Sequence, residues 1–230
     1  MSCCPPNVAR TLAQLATYVA TVSDDGVQLL QYVTGQVRAE LAGGTVRLEI
    51  ATRYPADGVV AVTVVEAPDR PWDLTLRVPV WAEGATVEDG GRVARAQGPG
   101  HVVSNLAAGD VVVLRLPLTP RWTYPDPRID AVRGTVAVER GPLVLCAESV
   151  DLPDGVDLET LCVDPMLPPR PDGDGALVEA TSVAFAEPDG APYGPLPVPS
   201  AVRSVECRLV PYHRWANRGP STMRVWLPRG

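Results

Sequence analysis

The chain has 230 residues, of which 46% are hydrophobic, and its formal net charge is −7. This apolar content supports a buried core and excludes a disordered tail, while the acidic balance excludes the clustered positive charge of nucleic-acid and anionic-membrane surfaces. The 25 prolines and 20 glycines exclude a chain built from long helices and favour many short strands joined by turns.

The chain carries no sequence signal for membrane insertion or export. No apolar run approaches the roughly 18 residues of a membrane helix, and no charged segment followed by an apolar one opens the chain. The sequence as written therefore predicts a cytoplasmic protein that binds neither membrane nor nucleic acid. Cysteine usage favours a reducing compartment, with Cys146, Cys162 and Cys207 as buried thiols without metal-ligand spacing.

Residues 7–20 are predicted to form a helix, because Val8, Leu12, Leu15 and Val19 repeat at helical spacing. Two prolines stand just ahead of it, where the start of a helix tolerates them. Additional alanines and a tyrosine widen the apolar surface beyond one stripe, which is typical of a helix packed between other elements. No later segment of the sequence resembles a helical partner, so the pattern predicts a partner outside this sequence.

From residue 23 onward the apolar pattern changes to a period of two, which is typical of strands. Turn-forming residues separate successive apolar runs such as VQLLQYV, TVRLEIATRY and GVVAVTVVEA. About ten short strands with regular turns are typical of a β-sandwich or jelly roll. We predict one such domain over residues 23–150.

The remainder of the chain is predicted to be a linker and a second, smaller β domain. Residues 151–176 are rich in proline and glycine, as linkers often are. Residues 177–230 are predicted to form a small β domain, because this part of the chain has three strand-like runs. The runs are ALVEATSVAFAE, AVRSVECRLVPY and STMRVWLP. The predicted fold class is mainly β, with two β-sandwich or jelly-roll-like domains after one N-terminal helix.

Five separated motifs resemble those of a known family. They are CCPPN at 3–7, TYVATVSDDGVQLLQYVTGQ, LRVPVWAEGATV, AVRGTVAVERGPLVLCAES and VPYHRWANRGPSTMRVWLP. In this order they resemble the landmarks of glycoside hydrolase family 127, the β-L-arabinofuranosidase family, whose CCPPN signature the first motif matches. The resemblance extends from residue 3 to about residue 228.

The resemblance implies a three-part enzyme, in which an (α/α)6 barrel with the active site precedes two β-sandwich domains. Residues 1–22 would then be the last helix of that barrel, and the chain looks like the C-terminal portion of the enzyme. By resemblance, Cys3 is the nucleophile of a retaining mechanism, and Cys3 and Cys4 form half of a zinc site. The other ligands and the general acid/base belong to the barrel. The intact enzyme would act on arabinofuranosides, whereas this chain alone is expected to be inactive and to bind no zinc.

The chemistry of Cys3 and Cys4 also follows from their position ahead of a helix. The positive end of the helix dipole lowers the pKa of a nearby thiol and favours the nucleophilic thiolate. Adjacent cysteines can bind one zinc ion, but zinc takes four ligands. Completing the site within this chain requires other cysteines, His101 or His213 to fold nearby. The alternative is a pair of exposed, oxidisable thiols.

Aromatic residues suggest an alternative, a non-catalytic structural or carbohydrate-binding β-sandwich module. Flat rings stack on sugars, but tryptophans on strands usually pack in a core, so their exposure distinguishes binding from scaffolding. His213 lies among aromatic and arginine residues and could contact a sugar or pack at a domain seam. The tryptophans in question are Trp72, Trp81, Trp122, Trp215 and Trp226.

The apolar helix predicts a protein partner. Burying each of Val8, Leu12 and Leu15 contributes roughly 1.5–3 kcal/mol. Two partners are compatible with this surface: a separately encoded helical barrel, or a second copy of the chain through helix 7–20.

Overall fold

The computed structural model describes residues 4–185 and 199–230. These residues form one α-helix at the N-terminus followed by many short strands, which confirms the predicted mainly-β class. They divide into two compact units, Met1–Leu118 and Thr119–Gly230. Within the described ranges, no helix has both the length and the apolar character needed to cross a bilayer.

The N-terminal helix α1 extends over Cys4–Gln14 and continues as a 3-10 helix over Leu15–Tyr18. It begins earlier than the predicted residue 7, because prolines in the first turn adopt helical φ angles and omit N–H groups that have no partner there. It ends earlier than predicted as well. The hydroxyl of Thr17 donates to the carbonyl of Gln14 at 2.7 Å, occupying an acceptor at the end of the helix.

The first unit contains ten of the described strands, arranged in two sheets. The four-stranded sheet has the order β1-β2-β6-β9, and the six-stranded sheet has the order β3-β4-β5-β10-β7-β8, in the numbering that follows. These strands are β1 (Ala20–Val22), β2 (Gly26–Leu29), β3 (Gly35–Leu41), β4 (Gly44–Thr52), β5 (Val59–Glu66), β6 (Asp73–Arg77), β7 (Thr86–Asp89), β8 (Arg92–Arg95), β9 (Gly100–Ser104) and β10 (Val111–Arg115).

The two sheets of the first unit share one core. On β4, Leu48 and Ile50 are buried while the residues between and beside them face outward, as the alternating sequence predicts. Leu29 of β2 and Leu74 of β6 belong to the same buried cluster. Trp72 is part of this core. No residue of α1 is buried, so α1 does not contribute to it.

The second unit contains nine of the described strands. Its central order is β11-β12-β13-β17-β16-β14, while β15 pairs with β16, β18 with β13, and β19 with β12. Short 3-10 helices include Ser149–Asp151 and Tyr212–Arg214. The strands are β11 (Pro120–Thr123), β12 (Thr135–Arg140), β13 (Leu143–Glu148), β14 (Leu161–Val163), β15 (Arg170–Asp172), β16 (Gly175–Phe185), β17 (Pro199–Pro211), β18 (Met223–Arg224) and β19 (Leu227–Pro228).

The observed division of the chain differs from the predicted one. The units meet between residues 118 and 119, so the predicted limit at 150 falls inside the second unit. The reason is long-range pairing, since β13 is hydrogen-bonded to β17 through pairs such as Cys146 and Val210. The segment 151–176, predicted to be a linker, carries β14 and β15 and buries Leu161 completely. The end of the predicted strand at residues 186 and 187 lies outside the described residues.

Candidate functional site

The second of the two adjacent cysteines lies at the start of α1. Cys4 is the first residue of the helix and is exposed, whereas Cys3 lies outside the described residues. The first turn also contains Pro5 and Pro6, and it has no acidic residue that would oppose a thiolate. A helix start of this kind favours a negative charge placed just ahead of it.

Two of the other thiols are buried, and one histidine is hydrogen-bonded within its own unit. Cys146 and Cys207 are buried on β13 and β17, and burial raises the pKa of Cys146 to about 11 and that of Cys207 to about 12. His101 lies on β9, where its Nδ1 accepts a hydrogen bond from the Gln97 N–H at 3.2 Å. Across the part of the chain that the structure describes, no three His, Cys, Asp or Glu side chains are grouped closely enough to hold a metal ion. These residues do not fit a complete zinc site.

The five tryptophans differ in exposure: one is buried, three are partly buried and one is exposed. Trp72 is buried and donates through Nε1 to the carbonyl of Leu106 at 2.9 Å. Trp81, Trp122 and Trp226 are partly buried, and Trp122 packs against the core of the second unit. Of the five, all of which lie in the described ranges, only Trp215 is classed as exposed. They do not form a row of exposed rings along one strand.

A buried carboxylate fixes the loop that carries Trp215. Glu148 ends β13 and is 1% exposed. Its Oε1 accepts hydrogen bonds from the Ala216 N–H at 2.9 Å and the Ser221 hydroxyl at 2.8 Å, and its Oε2 accepts one from Arg218. Arg218 also donates to both oxygens of Asp151, at 2.7 and 2.6 Å. We call these five residues the Glu148 clamp.

The hydrogen bonds of the Glu148 clamp favour the ionised forms of Glu148 and Arg218 and fix one strained residue. Burial alone would raise the pKa of Glu148, but hydrogen bonds from Arg218, Ala216 and Ser221 outweigh it and keep the pKa below its ordinary value. The same bonds to Asp151 and Glu148 raise the pKa of Arg218. Ala216 has a φ of 60°, a left-handed conformation that costs a non-glycine residue about 1–2 kcal/mol. Its bonded N–H helps to fix this conformation.

The clamped loop presents two neighbouring aromatic rings. Tyr212 and Trp215 are 48% and 39% exposed, and their ring centroids are 6.4 Å apart with planes inclined by 31°. The backbone N–H of Trp215 donates to the backbone carbonyl of Tyr212 at 3.1 Å. His213 between them is exposed, and Arg214 forms an ion pair with Asp174 at 2.6 Å. The structure thus brings together the two residues that the sequence singled out here, His213 and Trp215.

Sequence reasoning missed the anchors of this loop. Glu148 ends the apolar run LVLCAE, and a carboxylate that closes such a run was the available indication of a buried partner. Arg218 belongs to the same motif as Trp215, but the sequence does not show that it pairs with a residue 70 positions away. Tyr212 is not among the predicted sugar-stacking residues, which are all tryptophans.

Comparison with known families covers both units. Residues 26–118 match the family described as "Beta-L-arabinofuranosidase, GH127 middle domain", and residues 120–228 match the glycoside hydrolase family 127 C-terminal domain. The chain belongs to glycoside hydrolase family 127. The limit between the two family 127 domains falls at the limit between the two compact units.

Individual relatives agree with this assignment. A curated protein of Bifidobacterium longum subsp. longum, named non-reducing end beta-L-arabinofuranosidase, is 33% identical over 255 residues, which cover 99% of this chain and 37% of the relative. The crystal structure of a family 127 β-L-arabinofuranosidase from Geobacillus stearothermophilus is 30% identical with a TM-score of 0.84, covering 100% of this chain and 38% of that one. A further family 127 β-arabinofuranosidase is 25% identical with a TM-score of 0.81, covering 100% and 39%. The chain spans well under half the length of these family 127 proteins.

Proposed function

We propose that this chain supplies the accessory β domains and the nucleophile-bearing helix of a retaining β-L-arabinofuranosidase. The observation that carries the proposal is the alignment of 99% of the chain with a curated β-L-arabinofuranosidase. The same alignment spans 37% of the relative, so the proposed activity belongs to an enzyme that includes further residues. An arabinofuranoside-type carbohydrate is the proposed substrate of that enzyme.

Cys3 is the proposed nucleophile. Its sulfur attacks the anomeric carbon as the glycosidic C–O bond breaks, and an acid outside this chain protonates the leaving oxygen. Water then displaces the sulfur and gives a proton to the conjugate base of that acid, which releases the sugar with retained configuration and restores both the thiolate and the acid. The start of α1, next to Cys3 in sequence, favours the thiolate through its positive dipole. Cys3 and Cys4 are also the proposed contribution of this chain to a zinc site, which requires further ligands from elsewhere.

Helix α1 supports a second part of the proposal, namely that its apolar face packs against the helical portion of the enzyme. None of its residues is buried, Val8 and Leu12 are 59% and 66% exposed, and Leu15 at the start of the 3-10 helix that follows is 55% exposed. Isolated helices shorter than about 12–15 residues are marginally stable in water, so a helix of this length gains most of its stability from packing. A groove of about 920 Å³ lies beside its end, lined largely by apolar side chains including Tyr18 and Val37.

A chimera tests the proposal directly. The matched region of the Bifidobacterium longum relative is replaced by this chain, and hydrolysis of a β-L-arabinofuranoside is measured. We expect an active chimera that loses its activity in the Cys3→Ser variant, because the nucleophile is removed. Cys162→Ser is the matched control, since this thiol is half-buried on β14 and has no proposed role in the reaction. Activity that survives Cys3→Ser contradicts the assignment of the nucleophile.

The isolated chain provides the complementary measurement. We expect no hydrolysis of the same substrate by the purified 230-residue chain, because the proposed acid lies outside it. Hydrolysis by the isolated chain that disappears in Cys3→Ser contradicts the proposal that the chain is inactive alone.

A further inference from the structure

We propose that Tyr212 and Trp215 form a binding platform for the sugar rings of a neutral glycan. This site goes beyond the proposed hydrolysis, because binding on the platform needs neither a nucleophile nor an acid. That the glycan is an arabinan rests on the proposed function. The platform itself rests on the geometry of the loop that follows β17.

The two rings are placed to contact one ligand together. Their centroids are 6.4 Å apart and their planes are inclined by 31°, a separation that a ligand of one or two sugar rings can span. Both rings are substantially exposed and lie next to each other, so together they form a small aromatic surface open to solvent. An aromatic face attracts the C–H groups of a sugar ring while leaving the sugar hydroxyls free to bond water or nearby polar groups.

The loop is held in its conformation before any ligand binds. The Glu148 clamp joins the loop to β13, and the Trp215 N–H donates to the Tyr212 carbonyl. Ala216, directly after Trp215, occupies a left-handed conformation. Strained residues fixed by surrounding bonds concentrate at ligand-binding sites, and a preorganised surface loses less conformational entropy on binding. These features favour a presented platform over a loop that orders only on contact.

The size of the platform fits a sugar better than a protein. The exposed fractions leave roughly 200 Å² of aromatic surface, given about 150–250 Å² for a large aromatic side chain. A stable protein interface buries about 800 Å² on each partner. One or two sugar rings match the smaller area. Exposed His213 and the ion-paired Arg214 lie between the two aromatic residues in the chain and carry polar groups that could bond sugar hydroxyls.

Affinity electrophoresis tests the platform with the full 230-residue chain. The chain migrates through native gels that contain branched arabinan at increasing concentration, and its retardation gives a dissociation constant. We expect retardation that weakens about tenfold in Trp215→Ala and in Tyr212→Ala, as truncation of an aromatic anchor typically does. The matched control is Tyr124→Ala, because Tyr124 is 56% exposed in the same unit and lies outside the clamped loop. The control should bind like the parent chain.

Two results would overturn the platform. The first is a parent chain that arabinan does not retard, and the second is retardation that Trp215→Ala leaves unchanged. In the second case, a change of sedimentation in Trp215→Ala would assign the surface to a protein contact. Thermal unfolding of each variant verifies that the loop substitutions leave the fold intact. Hydrolysis by the chimera is measured separately, so failure of the platform and failure of the proposed enzyme function are distinguishable.

Discussion

The guanidinium of Arg218 donates a hydrogen bond to the carboxylate of Glu148, although the two residues are 70 positions apart in the chain. The Glu148 side chain is 1% exposed and that of Arg218 is 40% exposed, so the pair connects the interior of the second unit with its surface. Asp151 accepts two further bonds from the same guanidinium. The loop after β17 is therefore attached to the end of β13 by charged groups rather than by apolar packing alone.

We expect Arg218→Ala to lower the free energy of unfolding by about 2–3 kcal/mol, because a buried carboxylate loses its charged donor. Urea denaturation monitored by tryptophan fluorescence measures the change as a lower midpoint at constant slope. The expected loss comes from Glu148, since Asp151 is more accessible to water and can be solvated in the variant.

Arg128→Ala is the control for this measurement. Arg128 bonds Asp126 with similar chemistry, but its side chain is 88% exposed. Exposed pairs contribute little to stability, because water solvates both partners when the pair is broken. Equal losses of stability in the two variants would show that burial of Glu148 has no energetic consequence.

The lowered pKa of Glu148 predicts a pH dependence of stability. A carboxyl group with a lower pKa in the folded state stabilises the fold at pH above its unfolded value and loses that contribution as pH falls through the folded value. With an ordinary value of 4.5, stability should therefore decline once the pH falls below this value. Urea denaturation at a series of pH values measures the slope.

Glu148→Gln removes this titration and should flatten the slope, while lowering stability at neutral pH because the charge on Arg218 loses its partner. Asp126→Asn is the matched control, since hydrogen bonds from Arg128 also lower the pKa of this exposed carboxyl. We expect a smaller change of slope there. A Glu148→Gln variant with the slope of the parent chain would assign the acid sensitivity to other carboxylates.

The local features of the fold follow from the sequence, because they depend on residues that are near one another in the chain. Alternation around Leu48 and Ile50 predicts one buried face of β4, and the structure buries both. The apolar repeat that begins at Val8 predicts α1, which the structure contains. Both predictions use periods that any single segment displays by itself.

Long-range features did not follow from the sequence. The apolar run of β13 predicts a strand but not that its partner is β17, so the predicted limit at residue 150 lies beyond the observed one. Pro171 suggested a linker, yet proline is tolerated in a short strand such as β15 that pairs with one neighbour. The burial of Glu148 was equally hidden, because its donors come from a loop in another part of the sequence.

A glycine in the first unit marks a close backbone approach. A Cβ built on Gly58 would lie 1.8 Å from the Leu116 carbonyl oxygen, and the Leu116 N–H donates to the Gly58 carbonyl at 2.8 Å. We expect Gly58→Ala to destabilise the fold by about 1–3 kcal/mol or more, because backbone must move to relieve the overlap. Gly35→Ala is the matched control, since a Cβ there meets nothing within 4 Å. An equal urea midpoint for the two variants would contradict a close contact at Gly58.

The cysteines should separate into reactive and protected classes. Burial raises the pKa of Cys146 to about 11 and that of Cys207 to about 12, so neither carries much thiolate at neutral pH. Cys4 is exposed at the start of α1 and should be alkylated by iodoacetamide in the native chain, whereas the two buried thiols should require unfolding. Mass spectrometry of peptides from native and urea-treated chain locates each modification, and Cys4→Ser removes the corresponding peptide signal. Rapid native alkylation of Cys207 would show that β17 opens readily, and the N-terminal cysteines would then no longer be distinguished as nucleophiles by accessibility.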